Sequence, residues 1–263
     1  MTSLLYDLVA GAGVGLVGGL TSGLLGVSPG GGLVVFSVLL LGAEQHVAQG
    51  TSLVAQIPPT SLSGIRRYRE KGTTSPLSWL AWLSVGFLGG SIGGGYAAGF
   101  VASATLQWTY VAYLIVLAAM MMLRGERDDE QASATDRAPE ISWLALALVG
   151  VVAGFSSGFL GIGGGLAITV GLSVGLGVPQ HQAQLVSLVF SIVPTTIPAA
   201  WVYWSQGSLV SWPALAGIVI GLWLGADFGA RAANRADKLT LRRILLVLTA
   251  AMALYMSYKA LGN

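Results

Sequence analysis

Apolar runs long enough to cross a bilayer constrain this chain more than any other feature, because its charges are swept out of them. Of 13 basic and 11 acidic residues, all but Asp7, Glu44 and Lys259 fall in three short segments, Arg66–Lys71, Arg124–Glu140 and Asp227–Arg243. Charged residues make up 9% of the chain, where a soluble domain carries about 25%. A helix crosses the hydrocarbon core with roughly 20 apolar residues, and the stretches between the clusters supply that. They lack the period-two alternation of a lipid-facing barrel. The expected class is an all-α integral membrane protein, with the lipid bilayer as its surroundings and no nucleic-acid partner. The absence of cysteine excludes disulfides and thiolate metal sites. Two histidines make a poor metal set, and no cofactor is expected. The first helix begins almost at Met1 without a basic leader or a cleavage site, so it is expected to be retained.

The chain repeats itself. His46–Gln49 matches His181–Gln184, and the same offset of 135 takes Ser52 to Ser187, Pro59 to Pro194, Tyr68 to Tyr203 and Gly72 to Gly207. It also relates Gly86, Gly90 and Gly94 to Gly221, Gly225 and Gly229, and Ser22-Gly23 to Ser157-Gly158. At the glycine triplets the register reads as slipping, with Ser28-Pro29 as a two-residue insertion. Two homologous membrane repeats are expected over 1–124 and 142–263, joined by a polar cytoplasmic linker over 125–141. Each half reads as five apolar segments, at 4–27, 31–43, 47–65, 77–100 and 107–123, then 142–160, 164–176, 183–204, 211–230 and 240–258. The second segment of each half is too short to span and follows the glycines, so a broken or re-entrant pair is expected there.

Lysine and arginine gather on the cytoplasmic side of a membrane. The basic loop after the third segment has an uncharged counterpart after the eighth, and the one after the ninth has an uncharged counterpart after the fourth. Halves in opposite orientation bring both basic loops to one face, which requires an odd number of crossings per half. Five spans satisfy this, as do three plus a re-entrant hairpin. Inverted-topology repeats are common in secondary transporters.

Within hydrocarbon, non-helical backbone survives only inside protein or beside water. The triplets Gly30, Gly31, Gly32 and Gly163, Gly164, Gly165 are therefore expected inside, each followed by a helix, starting at Leu33 or Leu166, whose free amides face back towards them. Helix N-termini bind anions without a buried cation, and glycine admits a ligand close to the backbone. For Gly11, Gly15, Gly19, Gly86, Gly90 and Gly94 close helix packing is the better reading. A polar stripe accompanies the triplets: Gln49, Ser52 and Gln56 share one helix face, and Gln184, Ser187 and Ser191 repeat it. Such groups in a membrane helix tend to face its interior, where they either complete the shell of a small oxyanion or bond helix to helix.

The ordered run "SGLLGV…GGGL", "AQGTSLV" and "RRYREKG", with its degenerate second copy, resembles the sulfite exporter family of the TauE/SafE type, also called the 4-toluene sulfonate uptake family. The resemblance implies a multi-pass secondary transporter of the prokaryotic cytoplasmic membrane. It would move sulfite or a related small organosulfur anion, outward by family precedent, through alternating access about a central site. It carries the substrate role to Gly30, Gly31, Gly32, Thr51, Ser52, Gly163, Gly164, Gly165 and Ser187. The second copy departs from the first at Leu185-Val186, which stand where Gly50-Thr51 do. Glycine-rich faces suit a homodimer. The rivals are a passive anion channel and an intramembrane hydrolase built on Ser156 or Ser157 of "GFSSG", which matches G-x-S-x-G without its strand–turn–helix setting; an enzyme is not expected. His46 and His181 read as helix-entry residues, and Asp227 as the i,i+4 ion-pair partner of Arg231. Trp79, Trp82, Trp108, Trp143 and Trp212 read as interfacial anchors.

Overall fold

The computed structural model describes residues 2–25, 28–58, 76–124, 141–191, 194–235 and 238–261. Pro59, Tyr68, the Arg66–Lys71 cluster and all but the last residue of the expected linker lie outside them. Among the described residues the chain is helical without strands. The first half contributes α1 (Thr2–Leu25), α2 (Gly30–Leu40), α3 (Gln45–Ala55), α4 (Leu77–Gly99) and α5 (Ser103–Arg124). The second contributes α6 (Trp143–Leu160), α7 (Gly165–Val170, continuing as a π-helical turn over Gly171–Gly175), α8 (Gln180–Phe190), α9 (Ile197–Ser205), α10 (Trp212–Arg235) and α11 (Lys238–Leu261). Among the described residues four helices are long and apolar enough to cross a membrane: α1, α4, α6 and the Trp212–Gly229 part of α10.

Glycine spacing explains which of these pair. In α1, Gly11, Gly15 and Gly19 face the backbones of Ala214, Ile218 and Leu222 in α10, and Gly217, Gly221 and Gly225 face Leu8, Ala12 and Leu16 in return. Each lies so close that a Cβ would strike a carbonyl. α4 and α6 meet in the same way, Gly86, Gly90 and Gly94 against Ala147, Val151 and Phe155. The packing expected of these glycines is borne out, and both pairs run parallel. Small residues every fourth position let membrane helices touch along their backbones, where dispersion replaces the missing hydrophobic drive.

α2 folds back along α1, with Gly32 against Thr21 and Leu33 against Gly18. α3 folds back along α2, bringing Ser52 to Gly30. Each has 11 residues, about 16 Å of helix, half of what the hydrocarbon core requires. α3 runs against α9, with Gly50 beside Tyr203 and Leu53 clustered with Ala199 and Ala200. α9 runs parallel to α4, with Gly95 beside Val202 and Gly99 beside Gln206.

Three sequence expectations change here. The segment read as 183–204 is two helices: α8 ends at Phe190 and α9 begins at Ile197. Pro194 lies between them, lacking an amide to donate and disfavouring helix in the residue before it. The helices after the glycine loops start at Gly30 and Gly165, not at Leu33 and Leu166. Trp79 is 6% exposed and belongs to the core with Leu83, Phe87 and Leu146, because its face of α4 turns towards α6; Trp82, Trp108, Trp143 and Trp212 are exposed as expected of anchors.

Candidate functional site

Both halves break at the same place. α1 ends at Leu25 and α6 at Leu160; α2 starts at Gly30 and α7 at Gly165. Four residues separate the helices in each case, so the 135 register runs through without the expected insertion. Ser28 and Pro29 stand where Gly163 and Gly164 do. Identity of the triplets suggested otherwise, but Gly30–Gly32 form the first turn of α2, while Gly163 and Gly164 lie in the break. Gly161 caps α6 at φ 69°, its amide bonded to the Ser157 carbonyl at 2.8 Å, and Gly163 sits at φ 74°. Both need the left-handed region that glycine adopts without strain.

The two breaks touch. Gly30 lies against the Ile162 carbonyl closely enough to leave no room for a Cβ. The Ser28 hydroxyl is 3.0 Å from that carbonyl and 2.6 Å from Gln56 Oε1, so its one proton serves either. Ser52 donates to the Gly161 carbonyl at 2.7 Å and accepts from Gln56 Nε2 at 3.0 Å. The face predicted for Gln49, Ser52 and Gln56 thus looks onto the second glycine loop. Ser187 repeats the role of Ser52: each reaches the carbonyl of its own helix start, Ser52 to Gly30 at 3.4 Å and Ser187 to Gly165 at 2.7 Å. Ser191 donates to the Ser187 carbonyl, and Gln184 is half-buried and not without a partner. Thr51 points elsewhere, accepting from the Val210 amide at 3.1 Å, so the structure does not bring it to the loops.

Every side chain at this junction is uncharged. The first intrahelical bond of α2 is Leu33 to the Pro29 carbonyl, and that of α7 is Ile168 to the Gly164 carbonyl. The amides of Gly30–Gly32 and Gly165–Ala167 therefore lie ahead of the helix ladder, the groups that carry the positive end of a helix dipole. Gly31 is the informative glycine. A Cβ there would meet only the Tyr110 hydroxyl, at 3.7 Å, so packing does not demand a glycine. Gln49 is fully buried; its Oε1 accepts from Tyr203 at 3.1 Å while its Nε2 has no partner.

Sequence reading missed Ser28, Tyr110 and Tyr203. Tyr110 donates to the Gly31 carbonyl at 2.6 Å, and Tyr203 reaches the Gly158 carbonyl at 2.9 Å as well as Gln49. Tyr203 carried a signal, its repeat partner Tyr68; Ser28 carried one in the ungapped match of Gly26 to Gly161. Tyr110 has Leu245 as its counterpart and carried none.

Other expectations find their places. His46 Nε2 donates to the Ala98 carbonyl at 3.0 Å and its Nδ1 lies 3.3 Å from the Ser103 hydroxyl, tying the start of α3 to the α4–α5 turn. The His181 side chain lies outside the described residues. Asp227 and Arg231 form their exposed ion pair at 2.6 Å. "GFSSG" lies inside α6, where Ser156 donates to the Val152 carbonyl, not at a strand–turn–helix elbow.

A family model described as Sulfite exporter TauE/SafE matches residues 11–256. The "Probable membrane transporter protein" of Xylella fastidiosa (strain 9a5c) is 26% identical over 253 residues, covering 92% of this chain and 93% of that one. The "Probable membrane transporter protein YdhB" of Bacillus subtilis (strain 168) is 28% identical over 238 residues, covering 89% and 94%. No solved structure gives a significant match.

Proposed function

The chain belongs to the sulfite exporter TauE/SafE family and is a multi-pass membrane transporter; from that premise we propose that it carries sulfite or a related small organosulfur anion, outward, across the prokaryotic cytoplasmic membrane by alternating access. The anion rests between the two helix breaks. Amides at the starts of α2 and α7 hold it, and Gln49, Ser52, Gln56, Gln184, Ser187 and Ser191 complete its shell with neutral donors that also let it go.

The observation that carries this reading is the contact of two equivalent helix breaks in an uncharged polar junction, where Gly31 has room for a Cβ beside the Tyr110 hydroxyl and packing does not demand its glycine. Pair directions support inversion of the halves 1–124 and 142–263. α1 runs with α3, α3 against α9, α9 with α4 and α4 with α6, so α1 and α6 run oppositely, as in transporters built from inverted repeats. The α1–α2 and α6–α7 hairpins, whose returning limbs are too short to span, support re-entrant loops.

Gly31→Ala tests the site. Alanine is the better helix former and finds room, so the purified protein keeps or slightly raises its melting temperature. Sulfite efflux from reconstituted vesicles falls about tenfold, the scale of one hydrogen bond to a charged group. Undiminished efflux removes the loops from the pathway. The same assay separates a carrier from a channel: carrier flux saturates with sulfite and follows a counter-ion gradient.

A further inference from the structure

A hollow of about 430 Å³ opens at the far end of α3, lined among others by Glu44, His46, Tyr96, Phe100, Gln206 and Ser208. It lies at the C-terminal end of α4, whose N-terminal end follows the Arg66–Lys71 cluster. α4 has 23 residues, about 35 Å of helix, so the hollow faces the side of the membrane opposite the start of α4. His46 spends both ring nitrogens on Ala98 and Ser103. The side chains of Tyr96, Gln206 and Ser208 make no hydrogen bond among the described residues. Three neutral donor groups beside the Glu44 carboxylate suit an anion that passes through without being held.

Between this hollow and the glycine loops stands a single layer. From His46 to Ser52 along α3 is six residues, about 9 Å, and the intervening turn presents Gln49 and Gly50 to Tyr203. A Cβ on Gly50 would strike the Ser208 carbonyl, so α3 and the end of α9 close on each other there. Tyr203 is fully buried, and its hydroxyl oxygen lies 3.1 Å from Gln49 Oε1 on α3 and 2.9 Å from the Gly158 carbonyl on α6, so its one proton serves either. Three helices thus meet on one hydroxyl. Gln49 Nε2, also buried, has no partner in this arrangement, so the layer is held by few bonds and leaves one donor to gain when it opens.

We infer that this hollow is the antechamber through which the small sulfur-containing anion enters or leaves, and that the Tyr203–Gln49–Gly158 contact is the gate between it and the glycine loops. The hollow is an antechamber only if the loops are where the anion rests, as proposed above; Tyr203 is a positioning residue that sets when the loops can be reached.

The chain has no cysteine, so an introduced thiol is unique. Ser208→Cys reports on the hollow and Ser52→Cys on the loops beyond the gate. In oriented vesicles a membrane-impermeant thiol reagent applied opposite the basic clusters labels Ser208→Cys rapidly and Ser52→Cys slowly. Adding Tyr203→Phe, which keeps the ring, speeds labelling of Ser52→Cys about tenfold, the scale expected from loss of one neutral hydroxyl's hydrogen bonding. Gln49→Met, which removes the acceptor at similar volume, does the same and covers a failure of the first variant to fold. Failure of Ser208→Cys to react from that side, or an unchanged Ser52→Cys rate in both folded gate variants, overturns the inference. Labelling needs no transport, so the gate stands or falls separately from the choice of passenger.

Discussion

Gly30 and Gly31 are neighbours in sequence and opposites in environment. A Cβ on Gly30 would enter the Ile162 carbonyl, whereas one on Gly31 finds space up to the Tyr110 hydroxyl. Gly30→Ala must therefore push the two helix breaks apart. Overpacking of this kind costs about 2 kcal/mol, so the melting temperature in detergent should fall by about 5 °C, while Gly31→Ala leaves it in place. Equal melting of the two variants would mean that the contact between the breaks contributes nothing to stability. Sequence alone marked both glycines as one motif. It could not separate them, because the atom that does so, the Ile162 oxygen, is more than 130 residues away. Ser28 illustrates the same limit: beside Pro29 it looked like an interruption, yet its hydroxyl bridges both breaks.

Among elements, the long helices and their packed faces were largely legible. Glycines at every fourth position named the packed faces of α1 and α4, because no other side chain permits a carbonyl that close. The short elements were less so. α8 and α9 read as one apolar run since hydropathy does not register a missing amide, and Pro194, which lies between them, was legible only as the repeat partner of Pro59. The close pairing yields a sharp comparison within α4. Gly90→Leu drives a side chain into the Val151 carbonyl, and its repeat equivalent Gly225→Leu does so at Leu16; neither has a flexible neighbour to yield, and both should abolish recovery of monodisperse protein. Gly93→Leu meets no atom within 4 Å on an exposed face and should purify normally. Size-exclusion profiles of the three decide it, and loss of all three would return the glycines of α4 to a requirement for flexibility.

At the scale of the molecule, the proposed duplication ties several features of one half to a counterpart: the α1·α10 pair matches α6·α4, and Ser52 on Gly30 matches Ser187 on Gly165. The proposed inversion gives that exchange a direction in the membrane, and the direction can be measured. In the inverted arrangement α4 and α10 run oppositely, so the start of α4 and the end of α10 share a face with the basic residues, which membranes retain on the cytoplasmic side. Single cysteines in the cysteine-free chain read this out at exposed positions. Ser78→Cys and Ala232→Cys should react with an impermeant reagent only from the cytoplasmic side, and Phe100→Cys and Trp212→Cys only from the other. A parallel duplication makes the different statement that Ser78→Cys shares its side with Trp212→Cys. That pairing would dissolve the pseudo-twofold relation, and the two glycine loops could then no longer present equivalent helix starts to one anion from opposite sides of the bilayer.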